Sequence, residues 1–364
     1  MSEPRSHPAG APATAGVDPP GPWREPVRGG HPDARLATRT GAEQLQAMLD
    51  GEAPVPPLST LTGMRLTEFE PGSATFTMPL SPWLAGADGT IPLGVLTMPA
   101  DAAMACAIIA ALPAGTGLTT SELSIRQVSP ARVGDTVVAR ATMLDAGPPV
   151  ALAEVTLTDA AGTLIARGGS LCVTLPALSA PPAPGRTDAD TPRPVETEPM
   201  EPAAAAVSAG DPWQRPLPEG EPGGADVLSE LAREIAGTRD PAPISRLTGL
   251  RPVVAIRGEV TFALPATGWL CAPPPGRVQG GAVAVLADAA ITGAIRTTEP
   301  GAGRYVPVEL KLNYLRPLPS DGRLARAHAR LIHAGRRVAV AGAEVVDADG
   351  RAIAVASGSA VAGA

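Results

Sequence analysis

The run Gly276–Ile295, GRVQGGAVAVLADAAITGAI, is dominated by Ala, Val, Leu and Ile, yet it carries Asp288 in its middle. An unpaired buried carboxylate costs several kcal/mol. A chain tolerates one where it faces a water-bearing cleft, and partial desolvation there raises its pKa toward that of a useful general base. The competing reading is a buried Asp hydrogen-bonded to a neighbouring turn. The spacing predicts a helix starting near Gly281, with Asp288 about two turns in, too deep for a first-turn dipole interaction. Gly280 and Gly281 stand at that start. Without side chains they let a reacting group approach backbone N–H groups at the positive helix end, which makes an oxyanion hole by geometry and dipole. An ordinary tight turn is the plainer alternative.

Other chemistries find little support. Cys106, Cys172 and Cys271 are far apart, odd in number and lack metal-ligand spacing, so no metal is expected and a reducing cytoplasmic setting fits. His328 and His333 are an odd number of residues apart, which puts them on opposite strand faces. No Ser nucleophile elbow, phosphate-binding Gly loop or zinc spacing occurs. The net charge of −7 comes without a basic patch, which argues against nucleic-acid binding. No long uncharged apolar run suggests a membrane span, and the N-terminus has no secretory apolar core. No cofactor is called for.

The elements that must position Asp288 occur twice. LTGMR at 61–65 recurs as LTGLR at 247–251, and ATFTMP at 74–79 as VTFALP at 260–265. Trp83 and Trp269 keep the same offset. ADAAM at 100–104 matches ADAAI at 287–291, SELSIRQVSP at 121–130 matches VELKLNYLRP at 308–317, and DAAGTLIA at 159–166 matches DADGRAIA at 347–354. Collinear matches at a nearly constant offset define two copies of one module. The predicted division is a disordered tail over 1–40, module 1 over 41–176, a Pro/Ala-rich disordered linker over 177–225 and module 2 over 226–364. The 43 Pro and 40 Gly exceed the usual share, and the Pro-rich, aperiodic character of the tail and linker motivates the disorder reading.

Each module begins with a short amphipathic helix (GAEQLQAMLDGE; DVLSELAREIAGT). An extended segment, a Gly/Pro-rich loop and a helix apolar nearly all round (Leu96–Leu112; Ala282–Ile295) follow. Four segments then alternate at period 2, as VPVELKLNYL, RLARAHARLI, RVAVAGAEVVD and AIAVASGSAV do in module 2. A helix apolar on all sides must be wrapped. The expected architecture is α+β: two long helices, each enclosed by a curved antiparallel sheet.

VQGGAVAVLADAA, VPVELKLNYLRP and HAGRRVAVAGAEVVDADGRAIA together resemble the PaaI-like acyl-CoA thioesterases of the hotdog fold. The resemblance covers 244–364 and, more faintly, 55–176, so the whole chain resembles a tandem (double) hotdog protein. It implies hydrolysis of an acyl-CoA thioester to free acid and CoA at the interface of two hotdog units. A helix carboxylate attacks or activates water, a helix N-terminal N–H polarises the carbonyl, and a hydroxyl holds the water. Gln279 stands where the family usually has His; some thioesterases of the fold use Asp, Thr and Gln together. A Gln amide cannot take a proton, and a solvent-facing loop residue is the other reading of Gln279. The absence of a His near the helix argues against hotdog dehydratases.

The family's hydroxyl position is Thr120 in module 1 and Pro307 in module 2. If each site takes its helix from one module and its hydroxyl from the other, one site is whole: Gln279, Gly280, Gly281 and Asp288 with Thr120. The opposite carboxylate, Asp101, is preceded by Pro92, Leu93 and Gly94, and Pro99 predicts a late or kinked helix. That site is therefore expected to be decayed. Arg336 and Arg337, in the HAGRR turn, are candidates for the CoA phosphates or an ordinary basic turn. The rival functions are a non-catalytic acyl-CoA-binding protein and a structural module recruiting a partner through the linker. A homo-oligomer built through the hotdog sheets is compatible with either.

Overall fold

The computed structural model describes residues 18–33, 35–175, 210–223, 226–299 and 305–363. In the first half, helices α1 (Gly41–Leu49) and α2 (Pro57–Thr62) precede the hairpin β1 (Arg65–Glu70) and β2 (Ser73–Pro79). The long helix α3 (Leu93–Ile109) follows, then β3 (Gly117–Gln127), β4 (Thr136–Asp145), β5 (Val150–Thr158) and β6 (Leu164–Leu175). The second half repeats the order: α4 (Val227–Ile235), α5 (Pro243–Thr248), β7 (Arg251–Ile256), β8 (Glu259–Pro265), α6 (Gly280–Arg296), β9 (Tyr305–Tyr314), β10 (Leu324–Ala334), β11 (Val338–Val346) and β12 (Ala352–Ala362). The four alternating segments read in module 2 are β9 to β12.

All strands join one antiparallel sheet in the order β1-β2-β4-β5-β6-β3-β9-β12-β11-β10-β8-β7. The order is a palindrome of equivalent strands about the β3–β9 seam. That seam pairs Glu122 with Asn313, Leu123 with Leu312 and Ile125 with Leu310. Arg126 faces Glu309 across it at 3.1 Å, and Lys311 faces Glu122 at 3.7 Å. Each half wraps its own long helix, and α3 and α6 pack on one another inside. Both are clothed in buried Ala, Val, Leu, Ile and Met. This is the double hotdog.

The close approach of α3 and α6 depends on glycine. A Cβ on Gly281 would lie 2.6 Å from Met98 Cα and from the Thr97 carbonyl oxygen, and one on Gly94 would lie 2.8 Å from Asp288 Cβ. The Thr97 hydroxyl donates to the Gly281 carbonyl at 3.0 Å. Pro99 does not delay α3, which starts at Leu93 and runs through it. The expected late start is thereby corrected: packing of an apolar helix outweighs the one backbone hydrogen bond that proline removes.

Disorder is also too broad a reading for the flanking segments. Residues 1–17 and 176–209 lie outside the described residues, but 18–33 and 210–223 are laid on the modules, each on the other half. The Trp269 indole donates to the Glu25 carbonyl at 3.0 Å, and the Trp83 indole to the Arg215 carbonyl at 2.8 Å. Trp23 covers Gly249 and Trp213 covers Gly63, both left-handed glycines ending α5 and α2, where a Cβ would strike the indole at 2.8 Å. Arg215 pairs with Glu25 (2.9 Å for one of two contacts), tying the two arms together.

Candidate active site

The two helix carboxylates are related by the internal symmetry and bonded across it. The Gly281 N–H donates to Asp101 Oδ2 at 3.2 Å, and the Gly94 N–H donates to Asp288 Oδ2 at 2.9 Å. Each helix N-terminus therefore addresses the middle of the other helix. Asp101 and Asp288 are 6% and 4% exposed. Burial raises both pKa values from the ordinary 3.8 to about 6, against the lowering effect of these amide bonds. Burial and protonation do not distinguish them.

Their surroundings do. The Thr120 hydroxyl donates to Asp101 Oδ1 at 3.1 Å. Asp101, Thr120, Gln279 and Gly280 line one cavity of about 450 Å³ between the halves, within the size range of about 300–1,000 Å³ usual for ligand sites. Asp288 does not line it; the second oxygen of Asp288 accepts from Thr292 at 3.4 Å, a residue of its own helix. Beside Asp288 the equivalents of Gly280, Gln279 and Thr120 are Leu93, Pro92 and Pro307. Leu93, only 2% exposed, brings a full side chain where Gly280 brings none.

The expected assembly is thus corrected. Gln279, Gly280, Gly281 and Thr120 do come together, but around Asp101 and not Asp288. The carboxylate and the hydroxyl come from the same half, and the glycine amides come from the other. Thr120 sits on β3 beside its own helix, while the crossing of α3 and α6 delivers the opposing N-terminus. Gly94, the module 1 equivalent of Gly281, donates its N–H to Asp288 in turn.

The Gly280–Gly281 peptide is held at both ends. The Tyr314 hydroxyl donates to the Gly280 carbonyl at 2.8 Å while the Gly281 N–H meets Asp101. Burial, and the nearby charges of Asp101 and Glu122, keep the Tyr314 phenol well above its ordinary pKa, so it remains a donor. Sequence reasoning missed Tyr314, although it is one of two tyrosines in the chain. A Cβ on Gly280 would lie 3.0 Å from Asp101 Oδ2 and 3.4 Å from the Tyr314 hydroxyl oxygen. The N–H of Gly280, in the first position of α6, has no intrahelical partner.

Gln279 is the N-cap of α6: its Oε1 accepts from the Ala282 N–H at 3.2 Å, and its Nε2 donates to the Met98 carbonyl at 3.0 Å. It is not a solvent-facing loop residue. Cys106 also lines the cavity, but burial, aided by Asp101, pushes its thiol up to about 12, which holds it protonated.

Arg336 lies in the β10–β11 turn, beside a separate recess lined by Arg257, Tyr305 and Leu331, and neither it nor Arg337 lines the Asp101 cavity. The cations there are Arg277, half-buried and donating to the Leu118 carbonyl at 3.4 Å, and Arg316. Their signal was local: Arg277 lies two residues before Gln279, and Arg316 in the LRP of the β9 motif. Among the described residues no group of His, Cys, Asp and Glu could hold a metal, and no helix is long and apolar enough to cross a membrane.

Fold and site together define a double-hotdog protein with a carboxylate-bearing cleft between its halves. Residues 89–166 and 275–354 match the sequence profile of the thioesterase superfamily. Those stretches are equivalent parts of the two halves, and each half is similar to that superfamily on a tandem hotdog fold. The tesB protein of Mycobacterium avium subspecies paratuberculosis superposes with a TM-score of 0.53 at 12% identity, over 85% of this chain and 98% of that one. A provisionally named thioesterase from Novosphingobium aromaticivorans gives 0.51 at 15% identity, over 82% and 98%. These two likenesses show the fold. No curated protein sequence matches the chain.

Proposed function

We propose that the chain hydrolyses acyl-CoA thioesters to the free acid and CoA, at one site per chain built on Asp101. The observation that carries the reading is the convergence, in one cavity, of a buried carboxylate, a hydroxyl bonded to it and the N-terminus of the opposing helix. Thr120 spends its proton on Asp101 and accepts from the Cys172 thiol at 4.0 Å, which leaves its oxygen one lone pair to accept a hydrogen bond from water. A water held there is next to a carboxylate that can take its proton. The water oxygen attacks the thioester carbon, and its proton passes to Asp101. The oxyanion is met by the free Gly280 N–H at the positive end of α6. Collapse of the adduct breaks the C–S bond, and the departing thiolate takes the proton from Asp101.

Tyr314 and Gln279 touch the backbone rather than the reacting atoms; they fix the loop that presents Gly280. Arg277 and Arg316 supply positive charge at the cavity for the phosphates of CoA. Cys106 is no nucleophile while its thiol is held protonated. The reading requires no cofactor.

The test is thiol release from acyl-CoAs, followed across pH. A base must be ionised to act. With Asp101 near 6, kcat/KM is expected to rise with pH and level off above about pH 7. A rate independent of pH between 4.5 and 7.5, or no thiol release from any acyl-CoA, contradicts the proposal.

A further inference from the structure

We infer that the acyl group taken by this site is an unbranched aliphatic chain of medium length, and that α1 is the wall that ends its pocket; this rests on the thioesterase reading above. Asp101, Ala105, Cys106 and Ile109 line the cavity along one face of α3. From Asp101 to Ile109 the helix rises about 12 Å. That face therefore leads away from the carboxylate as an apolar track. The track stops where α1 begins. Gly41, the first residue of α1, abuts the last turn of α3, and a Cβ there would stand 1.8 Å from the Ile109 carbonyl oxygen. One turn along, Leu45 and Met48 share a face of α1 and both line the cavity.

A slot between two helices, walled by Leu, Met and Ile, suits a flexible hydrocarbon chain. Met in particular fills irregular apolar space adaptably. The cations Arg277 and Arg316 come from the second half, whereas the apolar track and α1 come from the first. The substrate is therefore oriented with its acyl chain in module 1 and its CoA over module 2. α1 is itself anchored: Thr40 and Glu43 form a reciprocal capping box at its start, and Ala47 packs on Leu36 and Ala53. Its position, and with it the length of the slot, is fixed by these contacts and by the absence of a side chain at Gly41.

The test compares butyryl-, octanoyl-, lauroyl- and palmitoyl-CoA on the native chain and on Met48→Trp and Met48→Ala. The native chain is expected to prefer octanoyl over both butyryl- and palmitoyl-CoA in kcat/KM. Met48→Trp shortens the slot and lowers the octanoyl-to-butyryl ratio about ten-fold. Met48→Ala lengthens it and raises the lauroyl-to-octanoyl ratio. Opposite shifts from the two variants separate a pocket wall from a folding defect, which would lower all rates together. Ratios unchanged within two-fold in both variants, with hydrolysis intact, overturn the α1 wall and leave the thioesterase reading standing. If no thioester is cleaved, dissociation constants for the same series decide. Affinity that peaks at octanoyl-CoA and loses that peak in Met48→Trp sustains the slot while hydrolysis falls. Affinity that ignores chain length overturns the slot as well.

Discussion

Asp101→Asn is expected to lower kcat/KM for thioester hydrolysis by about 10²–10⁴-fold, the range for loss of a positioned general base. The amide nearly reproduces the shape of the carboxyl. It can still accept from Gly281 through its oxygen but cannot take a proton. Stability should move the other way. Folding raises the Asp101 pKa from 3.8 to about 6, so ionising this group costs the native state more than the unfolded one. That cost is absent below the unfolded value, grows between the two values and is complete above pH 6. Asp101→Asn is therefore expected to melt no lower than the native chain at pH 7.5. The difference should vanish below about pH 4. A melting temperature that falls with activity would show a folding lesion instead of the loss of a base; thermal melts at the two pH values decide.

Gly281→Ala should be a severely damaging single-methyl change at the site. A Cβ at 281 meets backbone, Met98 Cα and the Thr97 carbonyl oxygen at 2.6 Å. Neither can move without displacing α3. Overpacking in a close-packed interior costs about 1–3 kcal/mol and occasionally more, and contact with rigid backbone belongs at the upper end. Parting of the helices would also pull the Gly281 N–H from Asp101, so activity should fall with stability. Gly293, in the same helix, is the control. Its Cβ would meet only Val260 and Phe262 side chains, the nearest at 3.2 Å. There the better helix propensity of Ala offsets a small rearrangement. Urea unfolding of the two variants should therefore give a large loss for Gly281→Ala and little change for Gly293→Ala.

The sequence shows most of the architecture because the architecture is repeated. LTGMR and LTGLR, ADAAM and ADAAI place equivalent helices and strands in both halves, and period-2 alternation marks the strands. The unusual residues of the site stand out too: a carboxylate in each apolar helix, a glycine pair before one of them, a threonine where the other half has proline. Which carboxylate owns those partners is not visible in the sequence. It depends on α3 and α6 packing so that the start of each meets the middle of the other, a tertiary fact no spacing encodes. The arms were legible and misread. PWR at 22–24 and PWQ at 212–214 repeat in stretches whose Pro and Gly content suggests disorder. A tryptophan recurring in such a stretch needs something to cover, and here each covers a left-handed glycine. Arg336 and Arg337 form a conspicuous pair, whereas the cavity cations are single residues brought together by the fold.

Measuring thiol release by Asp288→Asn is the most direct test of a single working site beside Asp101. Asp288 has the same helix position, the same crossed amide bond and a pKa also near 6, but no share in the cavity. The account predicts a rate within a few-fold of native. A loss as deep as that of Asp101→Asn would contradict it.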